Sequence, residues 1–193
     1  MDLLLELAVT FWQWTIVITL ILVGFIASIF DGQGEKRVGF EYSEMPHMKP
    51  IKIETADKGF WKAIWMWLLG VRQWEICDDF YFSLDGERYV IPKGFQFDGA
   101  SVPKFLAMWL SPTGVLLMGG LVHDYGYKYG TLMRSDRTVI GPQTQQWMDK
   151  LFRDICIEQN GFKLLNYLAY WALRIGGFVA WNGHRKVNAQ IGE

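Results

Sequence analysis

The stretch WEICDDFYFSLDGERYVIPKGFQF, residues 74–97, decides how the fold is read. Apolar and polar residues alternate from Trp74 to Phe82, and aromatic rings are frequent, as in a half-buried strand. Asp85-Gly86 is a hairpin turn signal, and Glu87 to Ile91 supplies the returning strand. Pro92-Lys93-Gly94 interrupts the run, and Phe95 to Phe97 resumes it. An antiparallel β-meander is expected.

Beyond it the period changes. Ser111-Pro112 reads as an N-cap followed by proline at the first helical position, and Gly130 as the stop, so a helix is expected over Thr113 to Tyr129. A second begins after Gly141-Pro142 and ends before Gly161. A third, Phe162 to Trp181, is almost wholly apolar, carries Arg174 at mid-length and stops at Asn182-Gly183. Its length suits a bilayer span, but Lys163, Arg174 and Gly176-Gly177 favour a central core helix. The fold class is therefore α+β, a small antiparallel meander packed with about three helices.

Toward the N-terminus, residues 60–71 (FWKAIWMWLLGV) are apolar but too short to span a membrane. They suit a buried helix or one lying at a membrane interface. Residues 31–58 are polar, with glycines and two prolines, and read as a linker entering a first strand near Ile51 to Glu54. The division expected is a membrane anchor in 1–30, linker and first strand in 31–58, and an α+β domain in 59–193.

The anchor is the run Leu7 to Phe30, LAVTFWQWTIVITLILVGFIASIF, which contains no charged residue. As a helix it reaches roughly 36 Å, more than the roughly 30 Å hydrocarbon core. A cleaved signal peptide needs a positive n-region, a shorter core and a small-residue site. Here Asp2 and Glu6 make the n-region acidic, and Ala27-Ser28-Ile29 is a poor site. Lys36 and Arg37 follow the run and no Lys or Arg precedes it. The expectation is a single-pass membrane protein with its C-terminal domain in the cytoplasm.

Composition agrees with these assignments. The 193 residues are 51% hydrophobic, with 10 Trp, 13 Phe and 8 Tyr, and mean hydropathy is +0.09. Such an aromatic load suits both a core and a bilayer interface. The net charge of −1 gives no basic surface for nucleic acid. Cys77 and Cys156 make neither a disulfide framework nor a zinc set, and read as two buried thiols in a reducing compartment.

Three places could carry chemistry. In Leu121-Val122-His123-Asp124-Tyr125-Gly126-Tyr127, helical spacing puts His123 and Tyr127 on one face, with Asp124 about 100° away. His123 suits a general base and Asp124 a metal ligand; the plain alternative is a buried histidine bonded to a neighbour. Asp98, followed by Gly99-Ala100-Ser101-Val102-Pro103, sits at a strand end where a ligand could approach the backbone, or else forms an Asx-turn. Asp149 in the second helix either pairs with Arg153 four residues on or, if the first two helices are antiparallel, faces His123 and fixes its tautomer.

Taken together, Ile91-Pro92-Lys93-Gly94-Phe95, Asp98 to Pro103, His123 to Tyr127, and Asp149 with Leu151-Phe152 resemble the signature of a family of phage and bacterial domains of unknown function. The likeness covers about residues 74–182. Locally, His-Asp-Tyr-Gly-Tyr is similar to the His-Asp-x-x-Tyr helix of phospholipases A2. That resemblance implies His123 as the base that activates water, Asp149 as its orienting carboxylate, Tyr127 beside them as a catalytic-site residue, and Ca2+ or another divalent cation on Asp124. Asp98 and Ser101 would contact substrate. The glycine-rich calcium loop of those enzymes has no counterpart in FLAMWLSPTG, residues 105–114.

Two functions follow as expectations. One is a phage-type membrane-anchored protein acting in host takeover, lysis or assembly, with the bilayer and a membrane or phage protein as partners. The other is a membrane-anchored, phospholipase-like hydrolase acting on phospholipid through His123 and Asp149.

Overall fold

The computed structural model describes residues 12–30, 37–52, 59–62, 64, 73–97, 114 and 116–191. The elements bounded within them are α1 (Trp12–Phe30), β1 (Phe40–Tyr42), β2 (Met48–Pro50), β3 (Trp74–Ile76), β4 (Phe80–Leu84), β5 (Glu87–Ile91), β6 (Gln96–Phe97), α2 (Leu117–Tyr129), β7 (Leu132–Met133), β8 (Val139–Ile140), α3 (Gln145–Asn160) and α4 (Lys163–Ile191).

The hairpin turns at Asp85-Gly86 as the sequence predicts, but the strand expected over Trp74 to Phe82 is broken at residues 77–79 into β3 and β4, which lie in different sheets. Asp85 (φ 51°) and Gly86 (φ 85°) take the left-handed turn that matches strand twist, and the register sets Phe80 opposite Ile91 and Phe82 opposite Tyr89. Alternation buries Phe80, Phe82 and Leu84 on one face.

The meander is not one sheet, however. β5 pairs with β4 and β4 with β1, while β6 turns back to pair with β3, beside β2. The chain changes sheet twice, at residues 77–79 between β3 and β4 and at Pro92-Lys93-Gly94 between β5 and β6. Gly94 has φ 83°, its N–H donates to the Ile76 carbonyl at 2.8 Å, and the Lys93 N–H donates to Asp79 Oδ1 at 2.8 Å. The chain is thereby redirected from the β4 edge to β3. Strands β1 and β2 lie in the stretch read as linker. The first strand is Phe40–Tyr42 rather than one at Ile51 to Glu54, and the strand nearest that expectation is Met48–Pro50; residues 53–54 lie outside the described residues. Pro50, which has no N–H to donate, is accommodated because β2 is an edge strand.

The helices pack on the sheets and on one another. Phe80, Phe82, Ile91, Leu121, Tyr125 and Ile155 belong to one core joining sheet to α2 and α3. A second cluster, Leu116, Phe152, Cys156, Ala169 and Leu173, joins α2, α3 and α4. Thr144 caps α3, its Oγ1 accepting from the Trp147 N–H. Gly130 and Gly161 close α2 and α3 in left-handed conformation. Helix α2 is described from Leu117 rather than the predicted Thr113, and 111–113 lie outside the described residues.

Helix α4 does not stop at Asn182-Gly183 but continues to Ile191. Its last turns are tied to the end of α2. Arg185 Nη2 donates to the Tyr127 and Lys128 carbonyls at 2.6 and 2.9 Å. Asn188 Nδ2 donates to the Lys128 carbonyl at 2.7 Å. These bonds occupy carbonyls orphaned at the α2 C-terminus and outweigh the weak helix propensity of Asn-Gly.

Helix α1 forms within the apolar N-terminal run and packs along α4, Gly24 lying against Leu164 and Leu168. Among the described residues no helix is long and apolar enough to cross a membrane. Of residues 60–71 the described part, Phe60, Trp61, Lys62 and Ile64, is helical, and Phe60 and Trp61 are exposed. Cys77 and Cys156 are free thiols. Cys156 is buried, but Cys77 is only partly so, contrary to the expectation of two buried thiols.

Candidate functional site

Helices α2 and α3 approach closely because α2 carries glycine where α3 presses in. A Cβ on Gly119 would collide with Cys156 Sγ, and one on Gly126 with Met148 Sδ. The approach brings together two side chains that the sequence places 26 positions apart. His123 Nε2 and Asp149 Oδ1 lie 2.9 Å apart. His123 is 2% exposed and Asp149 0%.

Asp149 is the hub. Tyr127 Oη, one turn beyond His123, donates to the same Oδ1 at 2.5 Å. Arg174 Nη1, from α4, donates to Oδ2 at 2.8 Å, and Gln145 Nε2 reaches Oδ2 at 3.5 Å. Helix α4 comes near enough through Gly177, where a Cβ would stand 2.5 Å from Tyr127 Oη and 3.2 Å from Gln145 Nε2. The His123 and Tyr127 rings are stacked at a tilt, 4.0 Å between centroids. Three helices thus converge on one buried carboxylate.

The alternative of an exposed Asp149–Arg153 pair is not realised. Arg153 turns to its neighbour Asp154, with Nε and Nη2 at 2.9 and 2.7 Å from Oδ1. Its guanidinium also lies over the Tyr167 ring. Antiparallel packing of α2 and α3 turns Asp149 inward instead.

Electrostatics follow from this arrangement. Burial works against the carboxylate of Asp149, but hydrogen bonds from His123, Tyr127 and Arg174 outweigh it and hold its pKa below the ordinary value. Burial likewise works against a charged His123, and the carboxylates of Asp124 and Asp149 overcome that, so its pKa is raised. Burial and the Asp149 charge push the Tyr127 phenol upward, keeping it a donor. On its other side His123 Nδ1 has no hydrogen-bond partner among the described residues. The nearest carboxylate oxygen is Asp124 Oδ1, at 3.7 Å, a charge contact rather than a hydrogen bond.

The predicted residues divide accordingly. His123, Asp149 and Tyr127 are brought together, and Asp124 stands beside them. Asp98 and Ser101, the expected substrate contacts, lie outside the described residues. Among the described residues no group of three or more His, Cys, Asp or Glu could hold a metal ion. Sequence reasoning missed Gln145 and the pairing of Arg174 with Asp149. For Arg174 the signal was its isolation, a single charge within an apolar helix; for Gln145 there was none.

The Ile91–Phe95 segment lies elsewhere. Lys93, Gly94 and Phe95 line a cavity of about 370 Å³ together with Tyr125 and Tyr129, from the face of α2 turned away from His123. One helix therefore presents Asp149's partners on one side and an aromatic wall on the other.

No curated protein and no solved structure matches this chain. A sequence family does, described as "Protein of unknown function (DUF1353)", over residues 74–173. That interval takes in both hairpin strands, all of α2 and α3, and the His123–Asp149 pair. Because it spans more than half of the 193 residues, the chain belongs to the DUF1353 family of proteins of unknown function.

Proposed function

We propose that this chain is a membrane-associated hydrolase in which His123 is the general base, Asp149 orients it, and a phospholipid ester is the substrate. The observation that carries the reading is the asymmetry of the imidazole. Nε2 is engaged by Asp149 at 2.9 Å, while Nδ1 has no hydrogen-bond partner among the described residues. A carboxylate on Nε2 favours the tautomer with its proton there and the lone pair on Nδ1, a buried atom that a water must enter to reach.

The chemistry balances simply. A water gives its proton to Nδ1 as its oxygen bonds to the ester carbonyl carbon. When the tetrahedral adduct collapses, the acyl–oxygen bond breaks and the imidazolium returns the proton to the departing alkoxide. Asp149 stabilises the transient imidazolium. Tyr127 and Arg174 act on Asp149 rather than on substrate, so they are positioning residues.

The substrate class is supported by the likeness of His123-Asp124-x-x-Tyr127 to the phospholipase A2 helix. It is also supported by the uncharged run from Leu7 to Phe30, read as a single-pass anchor with the domain on the cytoplasmic side. Ca2+ on Asp124 belongs to the same likeness, and no step above runs through it. The test is fatty-acid release from mixed phospholipid vesicles by the purified protein and by His123→Ala, with and without calcium. Wild-type release above the variant is expected; equal release ends the hydrolase reading.

A second reading is favoured by burial. His123 and Asp149 are almost fully enclosed, as in a network that ties helices together. The protein would then be a non-catalytic, phage-type membrane protein in host takeover, lysis or assembly. An unfolding midpoint that drops in His123→Ala, with no hydrolysis by either protein, selects this reading.

A further inference from the structure

Helix α1 is not the only element with an apolar outer face. Along α4 from Trp171 to Ala180, every exposed position is apolar or glycine. Ile175, Phe178 and Val179 are 64, 53 and 66% exposed. The one charge in that stretch, Arg174, is turned inward to Asp149. Leu22, Phe25 and Ile29 of α1, the helix packed along α4, are also more than half exposed. Scattered exposed apolar residues need no explanation, but a run of large ones on two adjoining helices marks an interaction surface.

We infer that α4 is a second lipid-contacting helix, and that the α1–α4 face is bedded in the acyl chains of a phospholipid bilayer. Three features choose lipid over a protein partner. A protein interface has a polar rim, whereas Trp12–Phe30 contains no charged residue. The Thr19 hydroxyl donates back to the Thr15 carbonyl at 2.7 Å, satisfied within its own helix as lipid requires. Exposed basic residues, Lys163 and Lys186, bracket the apolar stretch of α4, which complements anionic headgroups at either end.

The inference builds on the membrane reading of α1 and not on the hydrolase reading. It places Asp149 behind a single helix, α4, whose inner face holds Arg174 and whose outer face meets lipid. The test uses the full chain with Cys77→Ser, reconstituted in phosphatidylcholine–phosphatidylglycerol vesicles containing acyl-chain doxyl lipid. Single cysteines labelled with bimane are placed by Leu22→Cys (α1), Ile175→Cys and Phe178→Cys (α4), and Glu158→Cys as a control on the exposed side of α3. Cys156, buried and with its thiol pKa raised by burial, stays unlabelled. Expected is loss of emission at 22, 175 and 178 and none at 158. Quenching at 22 with none at 175 and 178 overturns the inference and leaves the anchor intact. No quenching at any position overturns both. Bimane at 175 and 178 that is shielded from water yet unquenched shows a protein contact and overturns the inference as well.

Discussion

Gly176 and Gly177 are adjacent on α4, yet replacing each with alanine should move stability in opposite directions. A Cβ at Gly176 meets nothing within 4 Å. There alanine only removes the helix penalty of glycine, a gain of about 0.5–1 kcal/mol. A Cβ at Gly177 would stand 2.5 Å from Tyr127 Oη, and that hydroxyl is held by its 2.5 Å bond to Asp149. The clash cannot be relieved by swinging a free chain end. Either α4 retreats, at the usual overpacking cost of about 1–3 kcal/mol, or Tyr127 leaves Asp149 and forfeits a charged hydrogen bond of about 1.5–3 kcal/mol. Against the same propensity gain, Gly177→Ala should come out about 1–2 kcal/mol destabilised. The two variants then differ by about 1.5–3 kcal/mol, or roughly 3–12 °C in Tm for a chain of this size. Thermal unfolding by near-ultraviolet circular dichroism in one detergent measures both. Equal stabilisation by the two alanines would refute the close approach of α4 to Tyr127 and, with it, the three-helix site.

Further outcomes follow from the same carboxylate. Asp149→Ala strands the buried donors of His123 and Tyr127 and should cost about 3–5 kcal/mol, while Glu158→Ala on the surface should change stability by under about 0.5 kcal/mol; chemical denaturation compares them. Arg174→Met should lower hydrolysis more than Arg174→Lys, which still offers Asp149 a cation, and the imidazole nitrogen shifts of His123 by NMR should move in Met but largely recover in Lys. The pH dependence has two limbs. Asp149 has a depressed folded pKa, so its contribution is full above the unfolded value of about 3.9 and is lost as pH falls through the folded one. His123 has a raised folded pKa, so its contribution is full below about 6.5 and is lost as pH rises through the folded value. Unfolding midpoints should therefore be highest between those values and fall on both sides; a profile unchanged in the Asp149→Asn, His123→Gln double variant would refute the assignment. Since Nδ1 must be unprotonated to accept from water, hydrolysis should climb with pH through a point above the ordinary histidine range.

What could be read from the sequence depended on whether the signal was local. The β4–β5 hairpin was legible because Asp-Gly and strict alternation are written in adjacent residues. Strands β1 and β2 were not, since three-residue strands in a polar stretch have too few positions to show a period, and only their partners β4 and β3 define them. The convergence of His123 and Tyr127 followed from one helical turn. Their meeting with Asp149 depended on antiparallel packing of α2 and α3, which the connection only allows, since it carries the β7–β8 hairpin between the two helices. Arg174 was visible as an oddity, a lone charge among apolar residues, but its target lay 25 positions upstream on another helix. The run of α4 past Asn182-Gly183 was invisible locally, because the bonds that sustain it come from the carbonyls of α2.

The isolation of Arg174 now has a physical account. A guanidinium within an apolar helix that faces lipid would be costly on the outer side. On the inner side it meets a carboxylate that is itself 0% exposed and would be unstable there without a cation. Each charge makes the other tolerable, and neither position is free to become neutral alone. Helix α4 can then be apolar outward and carry a charge inward only in the register that points residue 174 at Asp149. Gly177, three residues on and thus on nearly the same face, provides the clearance that register needs. A variant that exchanged the two charges, Asp149→Arg with Arg174→Asp, would keep the pair but put a cation against His123 Nε2. It should fold no better than Asp149→Ala, because His123 raises its pKa by facing carboxylates and loses that support. Recovery of wild-type stability by the exchange would mean that the pair alone, and not its bond to His123, fixes how the three helices meet.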